Sequence, residues 1–348
     1  ITELLLVEAL TAAERYAPSA PETQLARGIH AYFYDTDWSI AERRLSRLTR
    51  EYPNWADGHQ MLGIMLRRMD QWPRAVAELE AALALDPRSL TTTAFASTAR
   101  YMVGHHDAAI ELARRAQMID PSSPAPQVNE VRTLLWGLAD TTSALEVLQR
   151  TPHDAVYSWM DFVLQLRGDP EGAIRLRERM PMGGQPGSRW QLAMLHRDVG
   201  NEATMRMWAD SARAMSERGV EACPPAERDT GRWCLQIALA ELAIPLAILG
   251  DTVAALEAVR ASELEHRQFH DGYQSTIGRA FRGLALLELG HWAEATEEYR
   301  LLLSRPSFMH PPMLRVTPAT RPLRESWPPF LAMLDSIEAL GPFLDRSR

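Results

Sequence analysis

Apolar residues recur along much of the chain at the spacings of amphipathic helices. Between residues 54 and 87 the sequence reads NWADGHQMLGIMLRRMDQWPRAVAELEAALALDP: an apolar-periodic stretch, a short polar turn and a second such stretch. In the second stretch Ala75, Leu79, Ala82 and Leu83 fall on one helical face, because spacings of three, four and seven residues return to the same side of a helix. The pattern predicts a helical hairpin that ends at Pro87, since proline stops a helix.

Prolines divide the first part of the chain into units of nearly constant length. Pro18, Pro53, Pro87 and Pro121 are separated by 35, 34 and 34 residues. Each closes a similar segment, which reads AERYAP, LTREYP, ALALDP or AQMIDP. A hairpin that recurs with a period of about 34 residues predicts a repeat array.

Tryptophan also recurs in one local context. Trp38, Trp72 and Trp292 each follow a turn-like polar segment, and each precedes an alanine by three residues. A single tryptophan of this kind could bind a ligand. Three in equivalent contexts indicate a structural position that recurs because a unit of structure recurs.

These features resemble the tetratricopeptide repeat family, whose unit is a 34-residue helix-turn-helix. The residues that carry the resemblance are Leu62, Gly63, Leu66, Ala75, Leu79, Ala82 and Pro87, then Gly104, Ala109, Ala116 and Pro121, and later Gly283, Leu286, Gly290, Trp292, Ala295, Tyr299 and Leu302. The small residues are expected where two helix backbones approach closely. The recurring tryptophans are similar to the aromatic residue that family members carry at the start of the second helix.

The resemblance implies an all-α fold, an α-solenoid in which about eight hairpins form a right-handed superhelix. We predict an N-terminal array over residues 1–180, a Gly/Pro linker at 181–188, a second array over 189–305, and a Pro-rich segment with a capping helix at 306–348. Between residues 122 and 280 the proline spacing is lost, and a second linker is expected at 219–231. The chain begins without Met in a segment typical of the second helix of a repeat, so we expect a fragment of a longer protein.

Charge and hydropathy exclude some classes of partner. The net charge is −8, all basic residues are arginine, and no basic stripe is visible, which argues against binding to a phosphate backbone. No apolar run approaches the ~20 residues that a membrane span requires, and no signal peptide is visible. We therefore expect neither a nucleic-acid partner nor a membrane partner.

Residues with catalytic or metal-binding chemistry are sparse. Cys223 and Cys234 have no neighbouring pair, so they form neither a zinc nor a redox motif, and a reducing cytoplasm is the expected location. His266 and His270 have the spacing of two ligands on one helix face but lack the flanking glutamate of a zinc protease. We predict no enzyme activity, no cofactor and no metal.

Binding remains, and the resemblance implies that the first helices of successive hairpins line a concave groove. The positions that match the family's groove-facing residues are Gln60, Ile64, Arg67, Arg68, Thr98, Tyr101, Met102, Asn129, Thr133, Trp136, Phe162, Gln165, Trp190, Met194 and Arg197. We expect Arg67 and Arg68 to supply charge, and Tyr101 and Met102 to supply apolar contact, for an acidic or amphipathic protein segment. The alternative for Trp136, Phe162 and Trp190 is a role in the core between repeats.

Two hypotheses of function follow. Residues 20–125 resemble the repeat tails of bacterial signalling and transcription-regulator proteins, which implies a protein-interaction scaffold. The alternative is a small-ligand receptor that controls an attached effector domain. An open groove would fit a peptide, whereas a closed, Trp-lined pocket of a few hundred Å³ would fit a small molecule.

Overall fold

The computed structural model describes residues 3–33, 35, 37–151, 157–179, 186–223, 229–268 and 272–345. Within these ranges the chain is built from helices and turns and contains no strand. The predicted all-α solenoid is therefore confirmed. Over the same residues, every helix is too short or too polar to cross a membrane.

The described residues contain twenty α-helices, which are numbered in chain order. They are α1 (Glu3–Tyr16), α2 (Pro21–Phe33), α3 (Trp38–Glu51), α4 (Ala56–Arg68), α5 (Trp72–Leu85), α6 (Leu90–Met102), α7 (His106–Ile119), α8 (Ala125–Arg132), α9 (Thr141–Arg150), α10 (Tyr157–Leu166), α11 (Pro170–Arg179), α12 (Pro186–Asp198), α13 (Glu202–Glu221), α14 (Asp229–Leu249), α15 (Thr252–Gln268), α16 (Gly272–Glu288), α17 (Trp292–Leu303), α18 (Pro311–Val316), α19 (Arg321–Ser326) and α20 (Pro328–Ala339). A π-helical turn (Thr133–Gly137) extends α8, and 3₁₀ turns lie at Pro318–Thr320 and Phe343–Asp345.

Helices α2 to α17 pair in sequence as eight antiparallel hairpins, and each hairpin packs against the next. The pairs begin with α2/α3 and end with α16/α17. The number agrees with the predicted solenoid of about eight hairpins. The predicted linker at 181–188 overlaps the start of α12 at Pro186, and residues 180–185 lie outside the described ranges.

The turns inside several hairpins share one backbone conformation. Gly104, Gly200 and Gly290 have φ values of 88°, 77° and 76°, and Asp70 adopts the same left-handed conformation at φ 60°. The next amide then reaches back to the first helix, as in the bond from the Gln71 N–H to the Leu66 carbonyl at 2.9 Å. This bond satisfies a carbonyl that a helix end would otherwise leave unpaired.

The recurring tryptophans are the first residues of the second helices, as the resemblance implied. Trp38 begins α3, Trp72 begins α5 and Trp292 begins α17. Trp72 is 0% exposed, and its indole N–H donates to the Asp70 carboxylate at 2.9 Å. Trp72 therefore seals the turn between α4 and α5 with both its ring and its polar atom.

Glycine and alanine lie where paired helices approach most closely. A Cβ atom added to Gly63 would lie 2.7 Å from Cγ of Leu79 and 3.2 Å from the Ala75 carbonyl oxygen. A Cβ added to Gly28 would lie 2.5 Å from the Leu45 side chain. These distances leave no room for a side chain, so the small residues set the separation of the two helices.

The solenoid closes upon itself. Helix α4 contacts α16, and one apolar cluster joins Trp72 and Tyr101 from early hairpins to Phe308, Leu334 and Ile337 near the C-terminus. The C-terminal residues therefore complete the core of hairpins that lie far away in sequence.

The expectation of two unpaired cysteines was wrong. Cys223 lies just after α13 and forms a disulfide with Cys234 in α14, with a Cα–Cα distance of 5.6 Å. Helices α13 and α14 pack against each other, which brings the two residues together in a way that their sequence spacing does not reveal. The cysteines therefore no longer support a reducing cytoplasm as the location.

We expect Trp72→Ala to reduce the free energy of unfolding by about 3 kcal/mol, because it leaves a cavity in a fully buried site and removes a hydrogen bond. Trp292→Ala is the matched control, since Trp292 holds the equivalent position but is partly exposed. Its effect should be clearly smaller. Urea denaturation followed by circular dichroism measures both, and equal losses would contradict the assignment.

Candidate functional site

One segment near the C-terminus lies against the early hairpins. We call residues 304–314 the C-terminal strap; it has no regular helix from residue 304 to residue 310 and enters α18 at Pro311. The Ser307 N–H donates to the Met102 carbonyl at 3.1 Å, and the His310 N–H donates to the Trp136 carbonyl at 3.2 Å. Farther on, the Phe343 N–H donates to the Val103 carbonyl at 2.8 Å. The strap thus lies in the groove where a peptide was expected.

The acceptors for these bonds come from helix ends. Met102 is the last residue of α6, and Trp136 lies in the π-helical turn that extends α8. Carbonyls in the last turn of a helix have no partner within the helix, and π-helical turns are frequent at functional sites. Two neighbouring hairpins therefore present backbone acceptors to the same extended segment.

Side chains add three anchors for the strap. The Tyr101 hydroxyl donates to the Phe308 carbonyl. The Phe308 ring is 8% exposed and lies 5.3 Å from the Trp136 ring, measured between centroids. Arg305 forms an ion pair with Asp70 at 2.9 Å. The same Asp70 carboxylate that caps Trp72 therefore also holds the strap.

Two imidazoles meet at this junction. The His106 and His310 ring centroids are 4.5 Å apart in an edge-to-face arrangement, and His310 lies 5.1 Å from the Tyr101 ring. Burial lowers the pKa of His106, the Asp107 charge opposes this and the His105 charge adds to it, and the resulting pKa is about 4. His106 is therefore neutral near pH 7 and packs as an aromatic ring.

The residues predicted to line the groove of the second and third hairpins are largely engaged within the chain. Tyr101 and Met102 are 1% exposed. The Arg67 guanidinium lies 4.6 Å from the Phe95 ring centroid, and the Arg68 guanidinium lies 5.8 Å from that of Trp38. Both arginines thus stack upon aromatic rings, and their role in recognition stays a prediction.

The other predicted groove residues of this region make polar contacts. The Gln60 amide donates to the Thr92 hydroxyl at 2.5 Å, and the Asn129 amide donates to the Ala94 carbonyl at 3.3 Å. Thr98 accepts from Arg132 at 3.1 Å. Ile64 is partly buried on α4. Their role in partner binding also stays a prediction.

A partly open pocket of about 460 Å³, which we call the chamber, lies between α10 and α12 and the later helices α16 and α17. Predicted groove residues meet in its wall, namely Trp136, Phe162, Gln165, Trp190, Met194 and Arg197. Trp190 is 7% exposed, and its ring centroid lies 6.2 Å from that of Phe281. It therefore belongs to the core and to the chamber wall at once, whereas Trp136 and Phe162 are partly exposed.

Sequence reasoning missed the opposite wall of the chamber. It comes from α16, α17 and the strap with the residues that follow it, and it includes Phe281, Leu284, Tyr299, Phe308, Met309, Met313 and Leu314. Nothing in the local spacing of these residues indicates that they face α10 and α12. The signal was present only in the apolar character of the Pro-rich segment, which a linker would not need.

The chamber has one charged end. Arg197 from α12 binds Glu288 from α16 through two hydrogen bonds, one of them 3.1 Å long. Asp198 and Arg321 lie beside this pair. Burial raises the pKa of Asp198, and the Arg197 and Arg321 charges oppose that rise. The chamber is therefore amphipathic, with aromatic walls near Trp136 and charges near Arg197.

No three His, Cys, Asp or Glu side chains within the described part of the chain are placed to hold a metal ion. His270 lies outside the described residues, so the His266 and His270 pair is not placed by the structure.

No protein-family model and no curated protein matches the sequence. Solved structures do. A crystal structure of MamA is 16% identical, with 56% of this chain and 96% of that chain covered and a TM-score of 0.32. A crystal structure of the APC/C hetero-tetramer Cut9-Hcn1 is 11% identical, with 95% of this chain and 58% of that chain covered and a TM-score of 0.45. YrrB, described as a TPR protein with an unusual peptide-binding site, is 17% identical. The match covers 64% of this chain and 91% of that chain, with a TM-score of 0.28. These likenesses concern the fold alone, and at TM-scores below 0.5 no further argument rests on them.

We expect acid to destabilise the native state through His106. Its ordinary pKa is about 6.5, and its pKa in the folded protein is about 4, so between these values the unfolded chain binds a proton that the native chain does not. The contribution of His106 to the free energy of unfolding is fully present above pH 6.5. It is lost as the pH falls towards 4, and the free energy of unfolding decreases by about 3 kcal/mol in all.

His106→Gln should flatten this pH dependence of the unfolding free energy. Met118→Gln serves as the control, because Met118 is an exposed residue of the same helix α7 that does not titrate, and its replacement should leave the slope unchanged. Denaturation curves between pH 4 and 7 measure the effect. A slope that is identical in the parent protein and in His106→Gln would contradict the assignment.

Proposed function

We propose that this chain is a non-catalytic binding scaffold, and that its principal site is the chamber. The observation that carries the proposal is the position of the chamber, with α10 and α12 on one side and α16, α17 and the strap on the other. The proposed ligand is a compact amphipathic small molecule. Its apolar body contacts Trp136, Trp190 and Phe281, and its polar group lies at the charged end.

The size of the chamber supports a small ligand over a peptide. Pockets for drug-sized ligands span roughly 300 to 1,000 Å³, and 460 Å³ falls within that range. An extended peptide needs an open groove. The groove on the second and third hairpins is covered by the strap, through Ser307 and Phe308.

The energetics are adequate for binding in the micromolar range. Burying about 400 Å² of apolar ligand and chamber surface contributes roughly 10 kcal/mol at 25 cal/mol per Å². Loss of translational and rotational freedom costs at least ~4 kcal/mol. The charged end must therefore contribute about 2 kcal/mol more to reach a micromolar dissociation constant, which corresponds to ~8 kcal/mol.

The regulatory role follows from the resemblance to the repeat tails of bacterial signalling proteins. In such a protein the scaffold would report occupancy of the chamber to an attached domain. The charged end supports this role, because Arg197 and Glu288 join α12 to α16. A ligand that contacts this pair would change how two distant hairpins are held together.

The test uses 1-anilinonaphthalene-8-sulfonate, an amphipathic aromatic probe whose fluorescence rises in apolar sites. Ala280→Phe should weaken probe binding roughly tenfold, or about 1.4 kcal/mol, because Ala280 is buried in the chamber wall and the added ring fills the space. Ala293→Phe is the matched control, since Ala293 is exposed on α17.

Circular dichroism must show that both variants remain folded. Probe binding that is equal in the two variants would contradict the chamber as the site. Binding that falls in both variants by the same factor would contradict it as well, because a substitution on the exposed face of α17 cannot fill the chamber.

The second candidate function is recognition of a protein segment in the groove, for which the strap itself is the favouring observation. The groove already holds an extended chain through backbone and side-chain contacts. The sequence predicted an acidic or amphipathic partner from Arg67 and Arg68. The ion pair between Asp70 and Arg305 instead favours a partner with a basic residue.

A further inference from the structure

The strap is held by a small set of contacts with a defined chemical order. Arg305 meets Asp70, the Ser307 amide meets the Met102 carbonyl, and the Phe308 ring packs beside Trp136. The groove thus contacts three groups of the strap, namely a guanidinium, a backbone N–H and an aromatic ring. All three come from four consecutive residues, Arg-Pro-Ser-Phe.

We propose that the strap is a replaceable internal occupant of the groove formed by α4, α6 and α8, and that a partner protein with an extended Arg-x-x-Phe segment binds there in its place. The partner is defined by what the groove contacts in the strap. The proposal does not depend on a ligand in the chamber.

The first two hairpins have an apolar cluster that is independent of the strap. Leu62, Met65 and Leu66 of α4 pack there with Leu45 and Leu48 of α3. Tyr101 and Met102 of α6 instead share the largest cluster with Phe308 and Leu314 of the strap. Release of the strap therefore separates these buried side chains, and it is an opening of part of the fold that leaves the α3/α4 cluster in place.

Asp70 is suited to hold a guanidinium from either source. It occupies the left-handed turn position at φ 60°, where the equivalent turns carry Gly104, Gly200 or Gly290. A side chain is strained in this conformation, and Asp70 makes use of its carboxylate twice. It accepts from the Trp72 indole at 2.9 Å, which fixes its direction, and it pairs with Arg305 at the edge of the groove.

The aromatic slot is equally well formed. Tyr101 is almost fully buried and donates its hydroxyl to the Phe308 carbonyl, and Arg132 lies 5.0 Å from the Tyr101 ring centroid. The slot therefore recognises both the backbone and the ring of the residue that enters it. A phenylalanine that follows the arginine of a bound segment by three residues can make both contacts.

The experiment uses a labelled peptide of residues 304–314, SRPSFMHPPML. An internal occupant lowers the apparent affinity of an external one by the fraction of open molecules. The parent protein should therefore bind the peptide weakly. A strap variant with Arg305→Ala and Phe308→Ala should bind it roughly tenfold more tightly, as measured by fluorescence polarisation.

Two controls define the chemistry of the site. A peptide with the same two alanine substitutions should bind neither protein measurably. Adding Asp70→Asn to the strap variant keeps an acceptor for Trp72 and removes the charge. It should weaken binding of the unsubstituted peptide about threefold, and this loss should shrink as salt is raised, because the ion pair is partly exposed.

Hydrogen exchange shows whether the strap leaves. In the strap variant the amides of Ser307 and His310 should exchange faster than in the parent protein, while amides of α14 and α15 should not change. If these two amides stay protected in the folded variant, the strap is a permanent wall and the proposal fails.

It also fails if the peptide binds the parent protein and the strap variant equally well, because the peptide site is then elsewhere. Neither result bears on the chamber, since the comparison of Ala280→Phe with Ala293→Phe is made with the strap intact. The two proposals can therefore fail separately.

Discussion

The close approach of the two helices in each hairpin is the constraint on which the rest of the structure depends. At Gly63 no side chain fits, because Leu79 and the Ala75 carbonyl already occupy the space. The left-handed turn at Asp70 and the buried ring of Trp72 fix the same hairpin at its end. Successive packing of such hairpins curves the chain until α4 meets α16. The chamber and the covered groove are consequences of that accumulated curvature.

Features set by local spacing could be predicted from the sequence, and features set by the curvature could not. The position of Trp72 at the start of α5 could be predicted, because its neighbours in the chain determine its surroundings. Tyr101 and Phe308 are 207 residues apart, and no periodicity links them. The disulfide between Cys223 and Cys234 was missed for a related reason, since its geometry depends on how α13 and α14 pack. The predicted groove residues Trp136 and Trp190 do line a cavity. The residues of its other wall could be identified only from the folded structure.

The charge that the groove presents depends on contacts that composition does not reveal. An arginine-rich helix suggested a site for acidic partners, yet Arg67 and Arg68 lie over the rings of Phe95 and Trp38. A guanidinium stacked upon an aromatic ring is weakly hydrated and already has a favourable partner. The charge that faces the strap is the carboxylate of Asp70. The preferred partner of a groove therefore depends on which side chains its own fold has already engaged.

The strap contacts both the groove and the chamber, so binding at one of these sites is linked thermodynamically to binding at the other. Phe308 packs in the groove beside Trp136 and also forms part of the chamber wall. A ligand in the chamber gains contacts from a closed strap, whereas a partner in the groove requires an open one. If both bind, each must lower the affinity of the other by the same factor, because linkage between two sites is reciprocal. A scaffold of this shape can thus couple a small molecule to a protein partner through eleven residues of its own chain, without any change in the eight hairpins.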